Sequence, residues 1–115
     1  MSEFVYLYRN GESMTGSPEQ MQQQMQKWMA WFKELTDKGH IKHPGHPLER
    51  AGKLVKGRPK TVTDGPFAEA KDVVGGYTLV EARDLAHAVD LTSGCPILDV
   101  VGGFVEVRPV MKMGQ

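Results

Sequence analysis

The chain has 115 residues, which is one domain by length, and its 14 basic residues are balanced by 14 acidic ones. That balance provides no long-range attraction for phosphate backbones or an anionic membrane surface, so neither nucleic acid nor membrane is expected as a partner. The sole cysteine, Cys95, excludes an intrachain disulfide and fits a reducing compartment. Met1-Ser2-Glu3 does not open a signal peptide, and no apolar run approaches the ~18 residues of a membrane span, so the expectation is a soluble cytoplasmic protein.

Phe4-Val5-Tyr6-Leu7-Tyr8 is aromatic and β-branched, hence a strand. Both of its faces are apolar, where a strand wetted on one side would alternate. A polar loop, Asn10 to Gly16, follows. Ser17 then suits a helix N-cap, Pro18 the first helical position, and Gln20 completes a capping box. Met21, Met25, Trp28, Met29, Phe32 and Leu35 recur at helical spacing, and Gly39 ends the helix. Core packing is the reading of this stripe, against a ligand groove.

From His40 to Lys60 the pattern is broken by Gly45, Pro47, Gly52, Gly57 and Pro59. Leu54-Val55 and Thr61-Val62-Thr63 form a short hairpin turning at Gly57, and Asp64-Gly65-Pro66-Phe67 is a turn signal. Val73 to Glu81 is a strand in which Gly75-Gly76 marks a bulge or a close approach. Asp84 caps a second helix, with Leu85, Ala88, Val89 and Thr92 facing one way, ended by Gly94 and Pro96. Phe104 to Met111 is the last strand.

This order predicts an α+β domain over residues 1–115, a ferredoxin-like split βαβ sandwich. An antiparallel sheet carries two helices on one face, with the hairpin inserted before Asp64. Two short helices cover one face only, so the other is expected to meet a second copy in a homodimer that encloses a cavity.

His40, His43 and His46 stand three apart, but the neighbouring glycines and prolines exclude a helix, and only a curled loop could gather them. No metal site and no cofactor are expected. His87 falls at the third position of the second helix, near its cap. Cys95, at a helix end where the macrodipole is negative, is disfavoured as a thiolate nucleophile. Glu106 and Arg108 share one face of the last strand, as a solvent-facing pair or as cavity groups in which Arg108 holds an anion through its forked donors. Tyr8 and Tyr77 are strand packers or phenols for a polar ligand. Asp64 is either a turn former, accepting backbone N–H groups from Phe67 or Ala68, or a functional carboxylate placed by its loop.

The run Asp64-Gly65-Pro66-Phe67 with Glu69, Lys71, Gly75, Gly76 and Tyr77 resembles the signature of the YCII-related family, DGPF branch. Pro47-Leu48-Glu49, Val62-Thr63, Gly94-Cys95-Pro96 and Val105 to Val110 match the same branch, over nearly the whole chain. The resemblance implies a dimeric α/β barrel and an active-site role for the aspartate that maps onto Asp64. It also implies, for some members, a link to extracytoplasmic-function sigma factors. The histidine–aspartate pair proposed for the wider family does not carry over, because no histidine precedes or lies within the first helix.

Two functions follow. One is an enzyme on a small anionic or carbonyl-containing metabolite, with Asp64 as catalytic acid or base and Tyr8, Tyr77 and Arg108 as ligand-binding groups. The other is a non-catalytic, dimeric small-ligand or regulatory module.

Overall fold

The computed structural model describes residues 1–9, 17–65 and 73–113. The polar loop 10–16, and Pro66, Phe67, Glu69 and Lys71 of the distinctive run, therefore lie outside the described residues.

The chain forms strand β1 (Ser2–Arg9), helix α1 (Pro18–Asp37), β2 (Ile41–His43), β3 (Gly52–Lys56), β4 (Thr61–Gly65), β5 (Val74–Ala82), helix α2 (Leu85–Asp90) and β6 (Phe104–Pro109). β2, β5, β1 and β6 make one antiparallel sheet in that order, and β3 pairs with β4 in a separate hairpin. Two crossing βαβ units give this order, and it is the ferredoxin-like α+β arrangement expected from the sequence. The sheet's edges are β2 and β6. β2 is the element the sequence hid: only three residues long, it carries no readable alternation, and it is strand because it pairs with β5.

α1 begins as read. The Ser17 hydroxyl accepts from the Gln20 backbone N–H, and the Gln20 side chain accepts from the Ser17 N–H. Lys38 caps its C-terminus, and Gly39 follows with φ +79°. The buried face differs from the expected stripe. Trp31 and Leu35 are buried, Met21, Gln24, Trp28 and Phe32 are half-buried, and Met25 and Met29 are exposed. The second helix is also shorter than expected. α2 stops at Asp90 and continues as two 3₁₀ turns, Leu91–Gly94 and Pro96–Asp99. These turns bury Thr92 and Ile97, while Leu85 and Val89 are exposed.

The core sits between the helices and one face of the sheet. Phe4, Tyr6 and Tyr8 of β1, Val80 and Ala82 of β5, Ala88, Cys95 and Ile97 close around Trp31 and Leu35. The Tyr6 hydroxyl donates to the Ala88 carbonyl, tying the middle strand to α2. Trp31 Nε1 donates to the Leu91 carbonyl at 3.0 Å.

Burial pushes the Cys95 thiol up to about 12, the backbone of Ile97 opposing and Asp99 adding to it, and burial raises the Tyr6 and Tyr8 phenols as well. An acid whose folded pKa is raised keeps its proton while the unfolded chain loses it, so stability falls as pH rises past the unfolded value. We expect stability to decline from about pH 8.5, where an unfolded cysteine ionises, and more steeply above about 10, where tyrosines do. Denaturation midpoints between pH 8 and 10.5 check this: Cys95→Ala should remove the first decline. A thiol reagent should label Cys95 only after unfolding; rapid labelling of the native chain would contradict the burial.

Candidate functional site: the open face of the sheet

Strand alternation divides the sheet cleanly. Phe4, Tyr6 and Tyr8 face the helices, while Val5, Leu7 and Arg9 point to the other side. On β5, Tyr77, Leu79 and Glu81 share that other side, and on β6 so do Phe104, Glu106 and Arg108. Pairing sets two rows across the face. Leu7 lies between Tyr77 and Glu106, and Val5 lies between Leu79 and Arg108. Neighbouring strands are ~4.8 Å apart, so the groups flanking each row stand roughly 10 Å from one another, the width of a small metabolite.

Val5, Leu7 and Leu79 are half-buried aliphatic side chains on the face away from both helices of the described residues. Charged groups ring them. Arg9 Nη2 donates to Glu106 Oε1 at 2.6 Å, and Arg108 Nε lies 3.9 Å from the other oxygen of Glu106. At the far end Lys42 Nζ stands 3.7 Å from Glu3 and 3.8 Å from Glu81. The Arg108 side chain is 66% exposed, so it can turn from Glu106 toward an anion.

The four residues singled out in the sequence are not brought together within one chain. Tyr77 and Arg108 share the open face. Tyr8 is on the opposite face, buried edge-on against Trp28 at 4.9 Å. Its hydroxyl donates to Thr78 Oγ1 at 2.7 Å, and that hydroxyl donates to the Pro44 carbonyl at 2.9 Å. Asp64 lies on β4, exposed and ion-paired with Lys53 across the hairpin. Of residues 52–64 only Leu54 is even half-buried, so the hairpin is an arm wetted on both faces.

The sequence named His46 as one of three loop histidines that only a curled loop could gather, but did not place it beside Tyr77. Gly45, with φ +73°, curls the chain after β2, so the His43 and His46 rings come to 6.1 Å and His46 to 6.2 Å from Tyr77. Pro47 then bridges to Gly76, the close approach that the paired glycines signalled. His40 goes elsewhere, 5.1 Å from His87, which is half-buried and whose backbone N–H donates to the capping Asp84. His43 Nδ1 accepts from the Gly45 N–H, which leaves the proton on Nε2 and opposes metal ligation there. Among the described residues no three metal-ligating side chains converge.

A groove of about 260 Å³ lies on the helix side, where Lys27 and Glu34 of α1 face Asp99 above Trp31. Lys27 and Asp99 are 3.9 Å apart across it. No helix among the described residues is long and apolar enough to cross a membrane.

Helices on one side, a ringed aliphatic surface on the other and an inserted arm define the class: a ferredoxin-like α+β domain that offers one sheet face. The model of the YCII-related domain matches residues 1–114, and the chain belongs to that family. Comparison with curated proteins finds no match.

Proposed function

We propose that this YCII-related protein, of the DGPF branch, is a cytoplasmic homodimer that holds a small anionic or carbonyl-bearing metabolite between the open faces of two sheets. One observation carries the reading: Val5, Leu7 and Leu79 form an aliphatic floor between Tyr77 and Arg108 that no helix among the described residues covers. Exposed surface supports the dimer. The chain exposes 8390 Å², where a compact monomer of 12.8 kDa exposes about 6,300 Å².

In this reading Arg108 takes the anion through its forked donors, Tyr77 donates to an oxygen of the ligand, and Tyr8 holds Thr78 and the strand beneath it in place. Binding ranks before catalysis because Asp64 is exposed and ion-paired within one chain. As a catalyst it would need cover that its own chain does not give it. A sigma-factor circuit is one setting for such a binding module.

Light scattering is expected to give about twice the 12.8 kDa chain mass at micromolar concentration, and native mass spectrometry a retained small molecule. Arg108→Ala should weaken retention of that molecule about 10- to 100-fold, the loss of a charge-assisted contact. A clean monomer, or retention untouched by Arg108→Ala, overturns the proposal. Asp64→Asn separates the two functions: a binding module changes at most in ligand affinity, whereas an enzyme loses about 100-fold or more in turnover with fold and ligand retention intact.

A further inference from the structure

We infer that the β3–β4 arm works in trans: it seats on the open sheet face of the second copy and delivers Asp64 to the partner's Tyr77 and Arg108, so that each site is built from two chains. The inference rests on the dimeric reading above and adds which chain supplies the carboxylate.

Four observations point the same way. The first is that the arm lacks cover. A two-stranded hairpin is marginal in water by itself and needs a third strand or a packed surface, yet this one is wetted on both faces within its own chain. The second is reach. The Cα radius of gyration is 15.9 Å, against about 13 Å for a compact chain of this length, and the molecule is a flat body of 49 × 46 × 19 Å. Five-residue strands extend about 17 Å, enough to cross the three strand spacings of the opposing sheet.

The third observation is the make-up of one arm face. Val55 pairs with Val62 and Lys53 with Asp64, and these pairs alternate with Leu54–Thr63, so Val55, Val62, Lys53 and Asp64 share a face. Val55 is 61% and Val62 58% exposed. This small apolar patch ends on the Asp64 carboxylate. Laid along one side of the aliphatic floor of Val5, Leu7 and Leu79, it walls in the ligand held on the rest of that floor and carries the carboxylate to the ring of polar groups around it.

The fourth is charge. Lys53, Lys56, Arg58 and Lys60 against Asp64 give the arm a net charge of +3, and because the whole chain is neutral the remainder carries −3. Arms therefore repel one another, whereas the open face, with Arg9, Lys42 and Arg108 against Glu3, Glu81 and Glu106, does not repel an arm, which favours arm-on-face over arm-on-arm assembly. Two-fold symmetry makes the exchange reciprocal.

The test is cross-linking between two singly substituted chains with different affinity tags. One carries Val62→Cys on the arm and the other Leu7→Cys on the open face; Cys95 is 2% exposed and stays silent. The chains are mixed, allowed to exchange subunits and treated with a short bis-maleimide. A product joining the two tags should form about 100-fold faster than with Val101→Cys in place of Val62→Cys, because contact within a dimer supplies a millimolar effective concentration. Val101 is 95% exposed and off the arm. If Leu7→Cys impairs folding, Tyr77→Cys reports on the same face. A dimer by light scattering without the mixed-tag product overturns the arm exchange and leaves the dimeric binding protein standing. A doubly substituted chain that closes on itself when diluted overturns it too, because the arm would then cover its own sheet. A monomer overturns both.

Discussion

Trp31→Ala is expected to destabilise the protein by about 4 kcal/mol, the cost of emptying a large aromatic site in a core that relaxes only in part. Trp31 is 4% exposed and sits where three elements meet. Its ring lies 6.0 Å from Tyr6 and 6.3 Å from Tyr8 on β1, and 5.9 Å from Trp28 and 5.3 Å from Phe32 on its own helix. Its Nε1 donates to the Leu91 carbonyl in the 3₁₀ turn after α2, and Gly94 packs against its edge. Truncation removes the aromatic contacts and leaves that carbonyl without its donor. Urea denaturation should show the midpoint falling at unchanged slope, with a melting temperature lower by roughly 20 °C. Trp31→Phe keeps most of the ring and loses the hydrogen bond, so about 1–2 kcal/mol is expected. A Trp31→Ala loss no larger than the Trp31→Phe loss would show that the ring is not the keystone of this core.

Gly45→Ala should cost nearly as much, for a different reason. A Cβ at Gly45 would lie 1.8 Å from the Tyr77 carbonyl oxygen and 2.7 Å from its carbon, and φ is +73°. The obstacle is the backbone of a central strand, which cannot swing away, so the loop must lift from β5 or β5 must buckle. About 3 kcal/mol or more is expected, with loss of the His46–Tyr77 backbone hydrogen bond. Gly39→Ala is the control. Its φ is +79° but nothing lies within 4 Å of its Cβ, so only the left-handed conformation is penalised, at about 1 kcal/mol. The difference between the two measured values isolates the close approach. Equal losses would mean that the loop does not need to lie against β5.

Periodicity is readable only where it has no competitor. Ser17, Pro18 and Gln20 made the start of α1 legible because capping is local chemistry. Its buried face was not, because α1 carries two overlapping arcs. One runs through Met25, Met29 and Phe32, the other through Trp28, Trp31 and Leu35. The sheet selects the second by offering Tyr6 and Tyr8 to the tryptophans. Likewise the open face was legible in part: alternation put Val5 and Leu7 opposite Tyr6, and Glu106 beside Arg108. It also put Tyr8 on the far side from Tyr77 and Arg108, a consequence visible only once the register of β1 with β5 and β6 is known. His46 beside Tyr77 depends on the positive φ of Gly45, which no side-chain pattern encodes.

The two edges of the main sheet also limit what it can become. An edge strand with open N–H and C=O groups invites endless lateral growth with other copies. Here β2 offers three residues, with a register shift between Ile41 and His43 and a lysine in the middle. At the other margin β6 ends in Pro109, which has no N–H to give. Each rim is thus a poorer template for a ribbon of stacked sheets than a long, regular edge strand would be. The same shortness that hid β2 from the sequence disfavours sideways growth, so in the proposed dimer the flat of the sheet is a surface on which copies would meet without running on into fibres.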